Sequence, residues 1–173
     1  MLTLTLHLST PPSPRPALPA RLRCLRTLQR TRLRVGLPES APPRLRLILS
    51  VQEHGSPLQR IPPRPVIAPA LSRPEVRRRM AEALSGAARA AWEANPSGIR
   101  SGFAAAGQAG ADAIRAEIDA GLSPPNSPVT VSGGWLYNRA AGKAVYVPGK
   151  GFNRPLFNTG ELYNAFDYEI KED

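Results

Sequence analysis

Twenty prolines in 173 residues limit this chain more than any other feature it has. Proline fixes φ near −65° and lacks an N–H, so it breaks helix interiors and central strands. Three dense runs stand out: Pro11-Pro12-Ser13-Pro14-Arg15-Pro16, Ile61-Pro62-Pro63-Arg64-Pro65, and Pro124-Pro125-Asn126-Ser127-Pro128. Regular structure must fit between them. Hydrophobic residues are 42% of the chain and charged residues 21%, enough apolar side chain to build a core.

Periodicity then assigns the stretches between the runs. Leu2, Leu4, Leu6 and Leu8 alternate with Thr3, Thr5 and His7, which predicts a strand and lacks the basic start of a signal peptide. Leu18, Leu22, Leu25 and Leu28 recur at helical spacing over 18–30. Leu33, Val35 and Leu37 alternate, as do Leu45, Leu47, Leu49 and Val51, predicting two antiparallel strands that turn at Pro42-Pro43. Residues 57–71 then read as an extended, polyproline-like arm, and 122–130 as a stiff connector.

Two helices follow from the middle of the chain. Ser72 and Glu75 have capping-box spacing ahead of Val76, Met80, Leu84, Ala87 and Ala91. Asn95-Pro96-Ser97-Gly98 reads as a break. A second helix over 101–120 places Phe103, Gly107, Gly110 or Ala111, Ile114 and Ile118 inward and ends at Gly121. Its glycines each cost about 1 kcal/mol of helix stability, so they imply a close approach of another backbone. Trp135-Leu136-Tyr137 and Val145-Tyr146-Val147 suit a hairpin, and Phe166, Tyr168 and Ile170 a half-buried final strand. The resulting expectation is an α+β fold: a small, mainly antiparallel sheet packed against two helices. Proline-rich arms extend from it, with a hairpin insertion at 131–154. Residues 1–30 form an N-terminal strand and basic segment, and 31–173 the main domain.

The net charge is +10, and it is uneven. Residues 1–79 hold 15 Arg against Glu39, Glu53 and Glu75, giving +12; residues 80–173 hold 8 Lys or Arg against 10 acids, giving −2. Such a basic half suits nucleic acid or an acidic partner. Twenty of the 23 cations are arginine amid abundant Ala and Pro, a bias that GC-rich coding also produces.

Convergent chemistry is sparse. Cys24 is the one cysteine, so no internal disulfide forms. His7 and His54 are the only histidines, and neither has ligand-spaced neighbours. No serine sits in a nucleophile elbow, which leaves His54 a structural residue and a small hydrolase the weakest reading. Val147-Pro148-Gly149-Lys150-Gly151 lacks the spacing of a phosphate loop and reads as a mobile basic turn. No metal, cofactor or membrane-spanning segment is expected.

Three segments carry a family likeness: Glu53-His54-Gly55 with Ile61-Pro62-Pro63-Arg64-Pro65-Val66-Ile67-Ala68-Pro69-Ala70; Pro124-Pro125-Asn126-Ser127-Pro128-Val129-Thr130; and Pro155-Leu156-Phe157-Asn158-Thr159-Gly160-Glu161-Leu162-Tyr163-Asn164. In this order the chain resembles the tail-component and tail-completion (neck) families of long-tailed bacteriophages. It departs from them at Pro63, Val66 and Asn158, and residues 1–40 have no counterpart. The resemblance implies a non-enzymatic virion protein of the head–tail junction, made in the host cytoplasm. It implies a homo-oligomeric, hexameric ring between the tail-terminator or tail-tube protein and the head-completion or connector proteins, with packaged DNA in the lumen.

On that reading Ile61, Pro62, Arg64, Pro65 and Val66 form an interface arm, so deleting 57–70 leaves a folded but assembly-defective protein. Pro155, Leu156, Thr159, Gly160 and Leu162 form a fixed C-terminal turn. Arg77, Arg78, Arg79, Lys150 and Arg154 are the candidates to face DNA. The alternative is a sequence-independent DNA-binding module that acts alone.

Overall fold

The computed structural model describes residues 17–138 and 141–172. The strand expected over residues 1–8 lies outside them. In chain order the elements are α1 (Leu18–Arg30), β1 (Thr31–Gly36), α2 (Pro43–His54), a 3-10 turn (Pro57–Gln59), α3 (Ile67–Ser72), α4 (Pro74–Trp92), α5 (Pro96–Asp119), α6 (Pro128–Ser132), β2 (Gly134–Asn138), β3 (Lys143–Val147), α7 (Glu161–Asn164) and β4 (Asp167–Glu172). The fold is α+β, with two antiparallel sheets of two strands each.

Proline starts helices here as well as spacing them. It occupies the first turn of α1, α2, α4, α5 and α6 and of the 3-10 turn. There its missing N–H is one that no helix bond would use. This overturns the strand expected at 45–51. Pro42 and Pro43 nucleate α2 instead, and Leu45 and Leu49, one turn apart, go into the core. The partner of β1 is therefore the C-terminal strand: Leu33 pairs with Ile170 and Val35 with Tyr168.

The same effect moves two further boundaries. Asn95 is a cap, its Oδ1 accepting from the Gly98 N–H at 3.0 Å, so α5 begins at Pro96. The capping box at Ser72 and Glu75 does not form: α4 has no side-chain cap, and the Ser72 hydroxyl donates to the Ala68 carbonyl at 2.6 Å. Residues 128–132, expected to be connector, make the single-turn α6, capped by Ser127.

α5 is the centre of the molecule. On one side α4 packs against its small residues: a Cβ on Gly102 would lie 2.7 Å from the Ala83 carbonyl, and one on Gly98 2.6 Å from the Ala90 methyl. On another side the β1–β4 sheet lies across it, where a Cβ on Gly107 would overlap the Tyr168 ring at 2.3 Å. The expected close approach of another backbone is present at Gly102, whereas Gly98 and Gly107 make room for side chains. Phe103, Ile114 and Ile118 are buried as the period predicts, and Gly121 follows at φ +90°. The core has two parts. One gathers Leu45, Leu49, Val66, Ile114, Leu162 and Phe166; the other gathers Cys24, Ala87, Ala91, Ile99 and Phe103. Cys24 belongs to the second, so α1 packs as a layer over α4.

Candidate functional site

The proposed interface arm is built into the subunit. Ile61 exchanges two backbone hydrogen bonds with Ser56, closing a tight loop over the 3-10 turn. Gly55, just before this loop, sits at φ +75°, where a Cβ would come within 2.9 Å of the Ile61 carbonyl and the Pro63 nitrogen. One Oε atom of Glu53 accepts from the N–H groups of Val66 and Ile67 at 2.8 and 2.9 Å, capping α3. His54 Nδ1 meets the Ser50 carbonyl at 3.0 Å, one turn back along α2, and its ring is exposed. The Glu53-His54-Gly55 step is therefore a fold-making corner. Pro62 and Pro65 stay exposed, but Val66 is fully buried and Arg64 is 6% exposed.

Arg64 is the least expected residue of the core. Its Nε donates to the Pro124 carbonyl at 2.5 Å, one terminal nitrogen to the Pro125 carbonyl at 2.8 Å, and the other to Gln52 Oε1 at 3.2 Å. A guanidinium presents a planar fork of donors, and here it staples the second proline run to the third. Each of these three acceptors is neutral, so burial pulls the Arg64 pKa below its usual value. The two resemblance segments 61–70 and 124–130 meet at this side chain.

The C-terminal turn is built into the fold. Gly160 has φ +80° and heads the single-turn α7, which delivers Leu162 to the core beside Phe166. Pro155 is buried and Leu156 takes φ +60°. The Thr159 hydroxyl lies 3.4 Å from the Glu161 N–H, at the outer edge of hydrogen-bond reach.

The five cations chosen to face DNA do not act alike. Arg77, Arg78 and Arg79 are exposed on α4, and none has a carboxylate partner among the described residues. Consecutive helix residues fan around the axis, so at most two of them face one surface. Lys150 instead turns inward. Its Nζ donates to the Arg154 and Phe157 carbonyls at 3.1 and 2.7 Å, and burial, then the nearby Arg64 charge, lowers its pKa. Arg154 pairs with Asp119 and stacks 4.3 Å over the Phe157 ring. The expected mobile basic turn at 147–151 is tied down: the N–H groups of Lys150 and Gly151 donate to the Thr130 and Val131 carbonyls, both at 2.9 Å.

What the molecule leaves open is the β2–β3 hairpin. Trp135 faces Tyr146 and Leu136 faces Val145 in its register. Trp135 is 71% exposed, Tyr137 68% and Tyr146 54%, on one face; Leu136, Val145 and Val147 are exposed on the other. Trp135 and Tyr146 meet edge to face at 5.6 Å, the chief ring contact inside the hairpin. A two-stranded hairpin with neither face covered is marginal in water, and an apolar patch of this kind marks an interaction surface. The expected hairpin is present; its two-sided exposure was not anticipated. The signal was there, because three consecutive apolar residues in each strand leave neither face polar.

A second open surface lies on α2. Leu47 is 66% exposed and Ile48 37%, with Leu58 of the following turn at 86%. Elsewhere on α2, a shallow depression of about 320 Å³ is lined by Leu37, Leu49 and Ile67 together with Arg46, Ser50, Glu53 and His54.

Among the described residues no His, Cys, Asp and Glu side chains cluster as metal ligands would, and no helix is long and apolar enough to cross a membrane. No protein-family model matches the chain, and no characterised protein or solved structure shows significant similarity to it.

Proposed function

We propose that this chain is a structural subunit of the head–tail junction of a tailed bacteriophage, a neck or tail-completion component that joins tail to head. The observation that carries this reading is the β2–β3 hairpin, apolar on both faces and bare on both. Such an element gains its stability from what it docks into, which is the economy of an assembly subunit. The three-segment resemblance supports the same reading. Its residues are the ones that make the fold: Glu53 as a cap, Gly55 and Gly160 at positive φ, and Arg64 as the staple between segments. Partners on this reading are further copies in a ring, the tail-terminator or tail-tube protein below, and head-completion or connector proteins above.

A test is complementation of a genome lacking the gene with the variant Trp135→Ser/Tyr137→Ser. The expected result is filled heads and finished tails that accumulate unjoined in electron micrographs. Normal yields of infectious particles from this variant would overturn the reading.

Arg77, Arg78 and Arg79 favour one second reading, binding to the phosphate backbone of DNA, because they are exposed and without carboxylate partners among the described residues. Two phosphate contacts would give a log–log salt slope near −2, roughly −0.9 per contact. Duplex affinity by the isolated chain, lost with that slope on added salt, would support it; no retention of duplex at low salt would dismiss it.

A further inference from the structure

We infer that the outer face of α1 is a binding surface for the phosphate backbone of nucleic acid, with Arg23, Arg26 and Arg30 as its contacts. This surface goes beyond the head–tail reading, which stands or falls without it. It is also separate from Arg77, Arg78 and Arg79 on α4.

The first ground is spacing. At about 100° per residue, Arg23, Arg26 and Arg30 fall within an arc of about 60° on α1. All three are exposed, while Cys24, Leu25 and Leu28 lie on the far side of the helix, toward the core. With a rise of about 1.5 Å per residue the stripe is about 10 Å long. That is the axial run of about three phosphates on one strand of a duplex.

Charge is the second ground. No acid occurs before Glu39, so α1 holds nothing that offsets the stripe. Elsewhere the fold supplies exposed arginines with carboxylates, as Glu39 for Arg34 and Glu161 for Arg44. Among the described residues none pairs with Arg23, Arg26 or Arg30; even Glu172, opposite Thr31 in the sheet, makes no ion pair with Arg30. A compositional excess of arginine accounts for their number, but not for three left unpaired on one face. α4 is the weaker surface: its arginines fan around the axis, and Glu75 and Glu82 lie within four residues of Arg78 and Arg79.

The third ground is the kind of partner that fits. A lipid surface takes the apolar face of a helix, and that of α1 is already packed over α4. Leu18 and Leu22 stay exposed at its start, too little apolar surface to anchor it. A guanidinium instead gives a phosphate two parallel hydrogen bonds. Contacts of this kind read no bases, so binding is independent of sequence.

The experiment follows binding of the full chain to a short fluorescent duplex by anisotropy across a salt series. Three contacts give wild type a log–log slope of about −2.7 or steeper, which is about 40-fold weaker binding at roughly 200 mM salt than at 50 mM. Arg23→Gln/Arg26→Gln/Arg30→Gln is expected to flatten the slope by about 2.7. Glutamine keeps a helix propensity close to that of arginine, and circular dichroism checks the fold. Arg77→Gln/Arg78→Gln/Arg79→Gln removes the same charge from α4 and is expected to change the slope less.

Wild type that binds no duplex at low salt would overturn the proposal. So would an α1 variant that flattens the slope by less than about 2, or a larger change from the α4 variant. Phosphatidylserine vesicles bound through α1 while duplex is not would make the partner a membrane and end the proposal. The joining of heads to tails is scored separately by complementation, so failure here leaves the head–tail reading untouched.

Discussion

Replacing Arg64 separates charge from shape at the most buried polar site. Three hydrogen bonds leave with the guanidinium, those to Pro124, Pro125 and Gln52. At about 1 kcal/mol each, Arg64→Met loses about 3 kcal/mol, and more if the two proline carbonyls stay dry. Relief of the buried charge returns part of that, leaving a net cost of about 2–4 kcal/mol. Arg64→Lys keeps the desolvation penalty, loses the planar fork, and holds a point charge near Lys150, whose pKa already falls partly through Arg64. The nominally conservative change is therefore expected to cost at least as much as methionine. Urea unfolding at neutral pH measures both values, provided the m-value is unchanged. Arg64→Lys within about 1 kcal/mol of wild type, with Arg64→Met well below it, would refute this reasoning.

Other outcomes follow from the same contacts. Gly107→Ala, with a Cβ 2.3 Å from the Tyr168 ring, should destabilise by roughly 2 kcal/mol or more. Gly86→Ala, with nothing within 4 Å, should stabilise by up to about 1 kcal/mol; thermal melts of the pair read both signs. Glu53→Gln weakens the α3 cap and should cost about 1 kcal/mol in denaturant midpoints. The Lys171 hydrogen bond and charge hold the Glu39 carboxyl below its ordinary range; burial pushes back, and Arg34 adds a smaller lowering. That interaction is complete above the unfolded glutamate pKa of about 4.3 and is lost as pH falls through the folded value. An NMR titration should show a depressed Glu39 midpoint that Lys171→Ala moves back up.

The helices over 18–30, 76–91 and 101–119 were legible because their apolar period is long and regular, and the hairpin because turn residues separate two apolar triplets. The stretch 45–51 was not. Leu45 and Leu49 fit a helical face, yet Leu47 and Val51 complete a strand-like alternation, and Pro42-Pro43 decides for helix as an N-terminal signal. The arm at 57–71 misled for a related reason. Proline content describes backbone stiffness and says nothing of depth, and only tertiary contacts put Val66 and Arg64 inside. Deleting 57–70 is therefore expected to unfold the protein, since Arg64, Val66 and Ala70 leave the core. Charge alone singles out Lys150 and Arg154; the carbonyls and carboxylate that hold them are contacts their local sequence does not reveal.

The most direct measurement is the copy number of this chain in purified particles, by quantitative mass spectrometry of virions made by the genome that encodes it. A small, fixed number of copies per particle, equal to one ring, is the predicted result. Particles that are complete and infectious yet free of the chain would contradict the account.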